Sequence, residues 1–422
     1  MPTAVQLSPA FPADSRVNER GRLEVGGCDT LELAREFGTP AFVVAEQDLR
    51  DRAREFRAAA RGAGRPDAAI VFASKAFPCT AVIAVLAAEG LWCDVASAGE
   101  LHIALAAGVA PERIVVHGNA KSRRELERAL AERVALIVVD NEDELAVLAE
   151  LAPGAEQEVL VRVTPDVSGR THEKISTGQA DSKFGMEPER ARAALAQAAA
   201  IDGLRPVGIH AHIGSQLLEL APFEREVAAF AQFADLAVWD LGGGLGVRYT
   251  ADQPPPPTIE AYVRALIGGA ARAGFPPAGR LLIEPGRAVT ANSCVTLYTV
   301  ETVKQNVSRW VAVDGGMSDN MRPMLYGARY EAHVADRLGG ATRCVLAGKH
   351  CESGDVIVGD AMLDAPRRGD VVVTPATGAY GYSLANNYNG VPRAPVVFCS
   401  GGDARLVVRR EHLDELTARD VG

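Results

Sequence analysis

Residues 348–355 read GKHCESGD, a thiol beside a carboxylate with a cation before them and glycines on both sides. Such a stretch suits neither a helix nor a core strand, and a buried structural cysteine normally has apolar neighbours. Cys351 and Glu352 are therefore candidates for chemistry. Lys75 closes the apolar run VFASK, where an amine is expected to be desolvated, lowered in pKa and free to attack a carbonyl. The alternative is a surface lysine snorkelling at a strand end. Gly243 and Gly244 lie in LGGGLG, a turn whose bare backbone N–H groups can approach a phosphate, although glycines also serve tight connections. The run EPGR adds Glu284, Pro285, Gly286 and Arg287, with further backbone donors, a carboxylate and a guanidinium. In HAHIGSQ, His212 offers a ring that could stack on a flat group, and Ser215 offers a hydroxyl. A structural histidine and a metal ligand are the competing readings for His212. Metal is discounted because no carboxylate cluster of suitable spacing accompanies His210 and His212.

The elements that must position these residues repeat with a βα rhythm. Apolar, β-branched runs begin near residues 68, 91, 113, 135, 159, 206, 238 and 281, and Ala/Leu/Glu/Arg-rich stretches of helical period fill the gaps. The runs are nearly continuous in apolar residues, which marks buried parallel strands. Eight units predict an α/β fold built on a (β/α)8 TIM barrel, with a doubly wound sheet as the alternative. Lys75, Ser97, His117, His212, Gly242–Gly244 and Glu284 all fall at the C-terminal ends of their runs. A barrel gathers those ends at one mouth, whereas an open sheet would spread them along an edge. The segment SGRTHEKISTGQADSKFG is far longer than the usual two to six residues of a βα loop. It reads as a lid or substrate loop that Ile175 and Phe184 could anchor. After Arg287 the texture turns to short, β-rich, turn-punctuated segments, which predicts a second, C-terminal domain of β-sandwich or β-barrel type. The expected organisation is residues 1–45 contributing a strand (TPAFVVAE) to the β domain, 46–290 as the barrel, and 291–422 as the β domain.

A lysine able to form a Schiff base, a phosphate cradle, a stacking ring and a carboxylate able to face a pyridine nitrogen point together to pyridoxal 5'-phosphate. The motifs VFASKAF, HAHIGSQ, LGGGLG, IEPGR, VDGGMSDNMRPMLYGA, GKHCESGD and TGAYGYS also occur in this order in a known family. The chain resembles the barrel-type pyridoxal-phosphate decarboxylases, and among them the diaminopimelate decarboxylases, over roughly residues 30 to 410. The resemblance implies that Lys75 carries the cofactor, His212 stacks on its ring and Glu284 pairs with its pyridine nitrogen. Ser215, Gly243, Gly244, the backbone from Glu284 through Pro285 and Gly286 to Arg287, and Tyr380 would hold the phosphate. It further implies a homodimer with active sites at the interface, where Cys351 is the acid that reprotonates Cα and Glu352 binds a distal ammonium. Arg322 and Tyr326, beside Arg287 and Tyr380, match the family's substrate residues. A substrate ending in a second carboxylate needs such a cation. Arg322 in a structural ion pair is the alternative. The implied reaction is decarboxylation of meso-2,6-diaminopimelate to L-lysine, the last step of lysine biosynthesis.

Bulk properties exclude other classes. With 44 basic and 54 acidic side chains the formal charge is −10, which argues against a nucleic-acid or anionic-membrane surface. No apolar run approaches the ~18 residues of a membrane span. Seven scattered cysteines without CxxC spacing fit neither a zinc site nor a disulfide framework and predict a cytoplasmic protein. A small-molecule amino acid is the expected partner. Decarboxylation of ornithine, arginine or carboxynorspermidine, amino-acid racemisation on the same barrel, and a catalytically inactive regulatory relative remain the competing functions.

Overall fold

The computed structural model describes residues 7–165 and 182–422. Most of the expected substrate loop, Ile175 included, lies outside the described residues. The chain forms two compact units, one of residues 52–246 with 256–288, the other of residues 1–51, 247–255 and 289–422.

The first unit is a closed barrel of eight parallel strands: β1 Ala69–Ala73, β2 Trp92–Val95, β3 Ile114–Val116, β4 Leu136–Val139, β5 Gln157–Arg162, β6 Leu204–His210, β7 Val238–Asp240 and β8 Arg280–Ile283. Closure is made by β8 on β1, where Leu282 and Ile283 pair with Ala69 and Ile70. That pairing rules out the doubly wound sheet. Strands β1 and β4 are buried along their whole length, which is why their sequences are unbroken apolar runs rather than alternating ones. Val71, Val115, Leu136, Val138, Leu160 and Leu282 pack into one cluster. This arrangement is a filled core rather than a pore. Ser97, expected among the polar residues of the mouth, is used locally. Its hydroxyl accepts the Glu100 N–H at 3.1 Å and caps the helix Ala98–Ala106.

In the second unit the strands Val356–Leu363, Thr342–Ala347, Arg309–Val313, Cys294–Gln305, Ala41–Ala45, Val396–Ser400 and Asp403–Val408 follow one another through a mixed sheet. Val371–Pro375 pairs with Cys294–Gln305 and with His333–Val334 off that path. The long strand Cys294–Gln305 organises the sheet. Its first half pairs with Ala41–Ala45 and its second half with Arg309–Val313. Residues 16–29 form a small antiparallel sheet, and Leu23 and Val25 from it join Val43, Val295, Val373 and Val397 in the core. None of the described helices is long and apolar enough to cross a membrane.

One buried group in the barrel unit carries a measurable cost. Glu226, on the helix Ala221–Ala229, is fully buried, and neither carboxylate oxygen has a hydrogen-bond partner among the described residues. Burial, with Glu284 as a second cause, pushes its pKa well above the usual carboxylate value. Above about pH 4.3 the unfolded chain loses this proton while the folded chain keeps it, so stability falls as pH rises. Glu226→Gln removes that loss. The variant should gain on the order of 1–3 kcal/mol relative to the parent at pH 8.5 and much less at pH 5.5, read from thermal melts. An equal difference at both pH values would contradict a buried, neutral Glu226.

Candidate active site

Lys75 lies in the single helical turn Ser74–Ala76 that follows β1. Its side chain is 44% exposed, so the desolvated lysine expected from the sequence is corrected: β1 ends at Ala73, and the amine stands beyond the apolar run. The burial falls instead on its counter-ion. Asp94, on β2, is fully buried, with Oδ2 3.6 Å from Lys75 Nζ. Desolvation raises the Asp94 pKa, and the Lys75 and His117 charges oppose the rise.

A second carboxylate follows β8. Glu284 is buried, with Oε1 2.7 Å from His117 Nε2 and Oε2 3.3 Å from His210 Nε2. The two imidazoles meet edge to face at 4.6 Å. Strand register supplies the fourth member, since His210 on β6 is directly paired with Asp240 on β7. One ligand atom from each of His117, His210, Asp240 and Glu284 lies within 4.8 Å of the others. The carboxylates that sequence spacing failed to show beside the histidines are therefore present, brought in from strands 30 and 74 residues further along the chain from His210. The ground for discounting a metal does not hold, and this donor set could hold a metal ion.

The same contacts separate the two carboxylates electrically. Burial alone would raise Glu284, but His117 and then His210 outweigh it and hold the group well below the usual carboxylate range. Asp240 is pushed well above that range by burial and by the neighbouring Glu284. His210 is brought down to about 3 by burial, so it is neutral. The two neighbouring carboxylates are thus pushed in opposite directions, Glu284 toward the anion and Asp240 toward the protonated form.

The glycine turn is built for close approach. A β-carbon on Gly243 would sit 2.0 Å from the Glu284 carbonyl oxygen, and Gly244, at φ +119°, would place one 2.4 Å from the Gly214 oxygen. The Gly243 N–H donates to His212 Nδ1 at 3.2 Å, which fixes that ring against the turn. Burial, then the Lys75 charge, lower the His212 pKa well below its usual value. Arg287 donates to Ser215 Oγ from Nη2 at 2.9 Å and from Nε at 3.3 Å. The Pro285 carbonyl accepts the Ala73 N–H at 3.1 Å, and Gly286 is packed on the Ala73 side chain, so the EPGR turn abuts the end of β1. The barrel unit therefore brings together Lys75, His212, Ser215, Gly243, Gly244, Glu284, Pro285, Gly286 and Arg287.

The β unit holds the remaining candidates. Arg322 opens the helix Arg322–Tyr326 and is buried, whereas the side chain of Tyr326, at the far end of that helix, is partly exposed. The segment GKHCESGD is a tight loop wound on one carboxylate: Asp355 accepts the N–H groups of Met317 at 2.7 Å and His350 at 2.8 Å. Cys351 and Glu352 ride on its exposed side, and the Cys351 N–H donates to Asn389 Oδ1 at 3.0 Å. Of the seven cysteines, Cys351 alone is exposed. Tyr380 adopts φ +63°, a conformation that strains a residue with a β-carbon and recurs at functional sites.

Comparison with known proteins decides what these groups belong to. Residues 47–291 match the family described as "Pyridoxal-dependent decarboxylase, pyridoxal binding domain". The diaminopimelate decarboxylase of Bacillus subtilis is 44% identical over 96% of this chain and 97% of its own length. That of Mycobacterium tuberculosis is 43% identical over 99% of both. The crystal structure of diaminopimelate decarboxylase from M. jannaschii, in complex with L-lysine, superposes with a TM-score of 0.91 at 32% identity, covering 97% of this chain and 98% of that one. The chain belongs to the diaminopimelate decarboxylase family. It is a pyridoxal-phosphate-dependent decarboxylase, and the barrel unit lies entirely within the pyridoxal-binding match.

Sequence spacing alone does not mark Asp94 and Asp240 as site residues, and it offers His210 only as a discounted metal ligand. Asp94 was visible as a charged residue inside the apolar run LWCDVAS, where an unpaired carboxylate is costly and so signals a partner. Asp240 stood in the same way at the end of VWD. The glycine turn generates a direct test. Gly243→Ala forces the turn away from the Glu284 carbonyl and should weaken pyridoxal-phosphate binding by roughly tenfold or more, measured by absorbance titration of the stripped protein. Unchanged affinity would show that the turn does not touch the cofactor.

Proposed function

We propose that the chain converts meso-2,6-diaminopimelate to L-lysine and carbon dioxide, the last step of lysine biosynthesis, as a cytoplasmic homodimer. Pyridoxal phosphate, when bound, supplies an electron sink for the charge left at Cα when the carboxylate departs. Lys75 binds the cofactor covalently through its amine. Glu284, held as an anion by His117 and His210, keeps a proton on the pyridine nitrogen. His212 stacks on the ring. Ser215, Gly243, Gly244, Arg287 and Tyr380 hold the phosphate, with Pro285 and Gly286 shaping the turn. These roles suit the residues present, which offer bare backbone donors, a hydroxyl and a guanidinium for a dianion and a buried carboxylate for a cationic ring.

Cys351 returns a proton to Cα, a task for a weak acid held close to the carbanion. Glu352 grips the distal ammonium, and Arg287, Arg322, Tyr326 and Tyr380 take the distal carboxylate. Cys351 and Glu352 of one subunit serve the cofactor site of the other.

Buried Arg322 carries the choice of substrate. No aspartate or glutamate among the described residues forms an ion pair with it, which is the arrangement a second substrate carboxylate requires. Ornithine, lysine and arginine have no such group. Carbon dioxide release from meso-diaminopimelate should therefore exceed release from L-lysine, L-ornithine or L-arginine by at least roughly 100-fold. Comparable turnover of ornithine would overturn the assignment. Cys351→Ala should lower kcat by about 10²–10⁴-fold. Mixing inactive Lys75→Ala and Cys351→Ala subunits should restore activity, and no recovery after confirmed subunit exchange would contradict the shared site.

A further inference from the structure

The surroundings of Arg322 are unusual for a buried cation. Its guanidinium carbon lies 4.6 Å from the centre of the Tyr249 ring and 5.5 Å from that of Tyr330. Its Nη1 donates to the Tyr330 hydroxyl, the only side-chain hydrogen bond of the guanidinium among the described residues. Both tyrosines are buried, and their rings pack edge to face at 5.2 Å. Two separate segments are clipped together to make this arrangement. The Ala251 N–H donates to the Glu331 carboxylate and Arg329 pairs with Asp252 at 2.8 Å, while within the first segment the Tyr249 N–H donates to Gln253 Oε1 at 2.8 Å.

A buried arginine normally has a carboxylate partner, because its charge is otherwise costly. Here two π faces and one phenol oxygen supply the compensation, and none of them is an anion. The cation is fixed in direction yet keeps its full charge, and the other N–H donors of the planar fork are left for a ligand. A carboxylate partner in place of the aromatic one would offset the charge that a substrate anion needs.

We propose that Tyr249 and Tyr330 are specificity-determining positioning residues, forming a neutral box that aims Arg322 at the distal carboxylate of the substrate. This rests on the reading of Arg322 given above. Neither tyrosine touches the reacting atoms, so their effect falls on recognition of that carboxylate and leaves the chemical step alone.

The test uses the holoenzyme and three readouts: kcat and KM for meso-diaminopimelate, Ki for L-lysine, which keeps the distal carboxylate, and Ki for cadaverine, which lacks it. Tyr249→Leu and Tyr330→Leu should each raise KM and the L-lysine Ki by roughly tenfold. Both should leave kcat and the cadaverine Ki within about twofold. Tyr249→Phe, which keeps the ring face, should restore parent values. Tyr330→Phe, a gentler change than leucine, should give a smaller rise in the same two constants. Equal losses for cadaverine, a fall confined to kcat, or no change in any constant would overturn the proposal. Arg322→Met separates the two claims. If it leaves KM and the L-lysine Ki unchanged, the reading of Arg322 fails. If it raises both while the leucine variants do not, the box alone is refuted.

Discussion

The Glu284 carboxylate is buried, and both of its oxygens face imidazole nitrogens that come from two other strands. Taking such an anion out of water costs several kcal/mol unless donors meet it. The donors here follow β3 and end β6, while Glu284 follows β8. Only a sheet that curls until β8 meets β1 can bring those three ends together. Closure of the barrel and retention of the anion are thus one constraint seen at two scales. Once Glu284 is fixed, the neighbouring groups follow. Asp240 is pushed toward its protonated form, and the glycine turn must run bare-backboned past the Glu284 carbonyl. His212 is held by the turn it faces, and EPGR is pinned to the end of β1 beside Lys75.

The β unit solves a different problem, which is to expose a thiol and a carboxylate on a loop without letting the loop wander. Asp355 does this by collecting N–H groups from Met317 and His350, and glycines at 316 and 348 let the backbone close around it. The question posed by GKHCESGD is thereby answered in part by its last residue. The aspartate is the anchor, and the thiol and glutamate are what the anchor exposes.

The eight strands could be read from the sequence because parallel strands buried on both faces write themselves as unbroken apolar runs. The residues at their ends could be read because a polar group there has no packing reason to exist. Pairings between strands could not be read, since His210 and Asp240 are neighbours only through register, and the Glu284 cluster is assembled from residues up to 167 positions apart. The exposure of Lys75 is not legible for a related reason. Sequence shows where a run of apolar residues stops but not how far beyond the barrel rim the next side chain stands. Tyr249 and Tyr330 left no periodic signal, because each sits in a loop and matters only through Arg322. The N-terminal sheet of residues 16–29 was likewise hidden, its strands being two or three residues long.

The central claim is that the barrel mouth holds pyridoxal phosphate covalently through the amine at position 75. Reducing the holoenzyme with borohydride, digesting it and locating the phosphopyridoxyl group by mass spectrometry tests this most directly. A single labelled lysine, Lys75, is the predicted result. A label on Lys121, or on any lysine other than Lys75, would contradict the account.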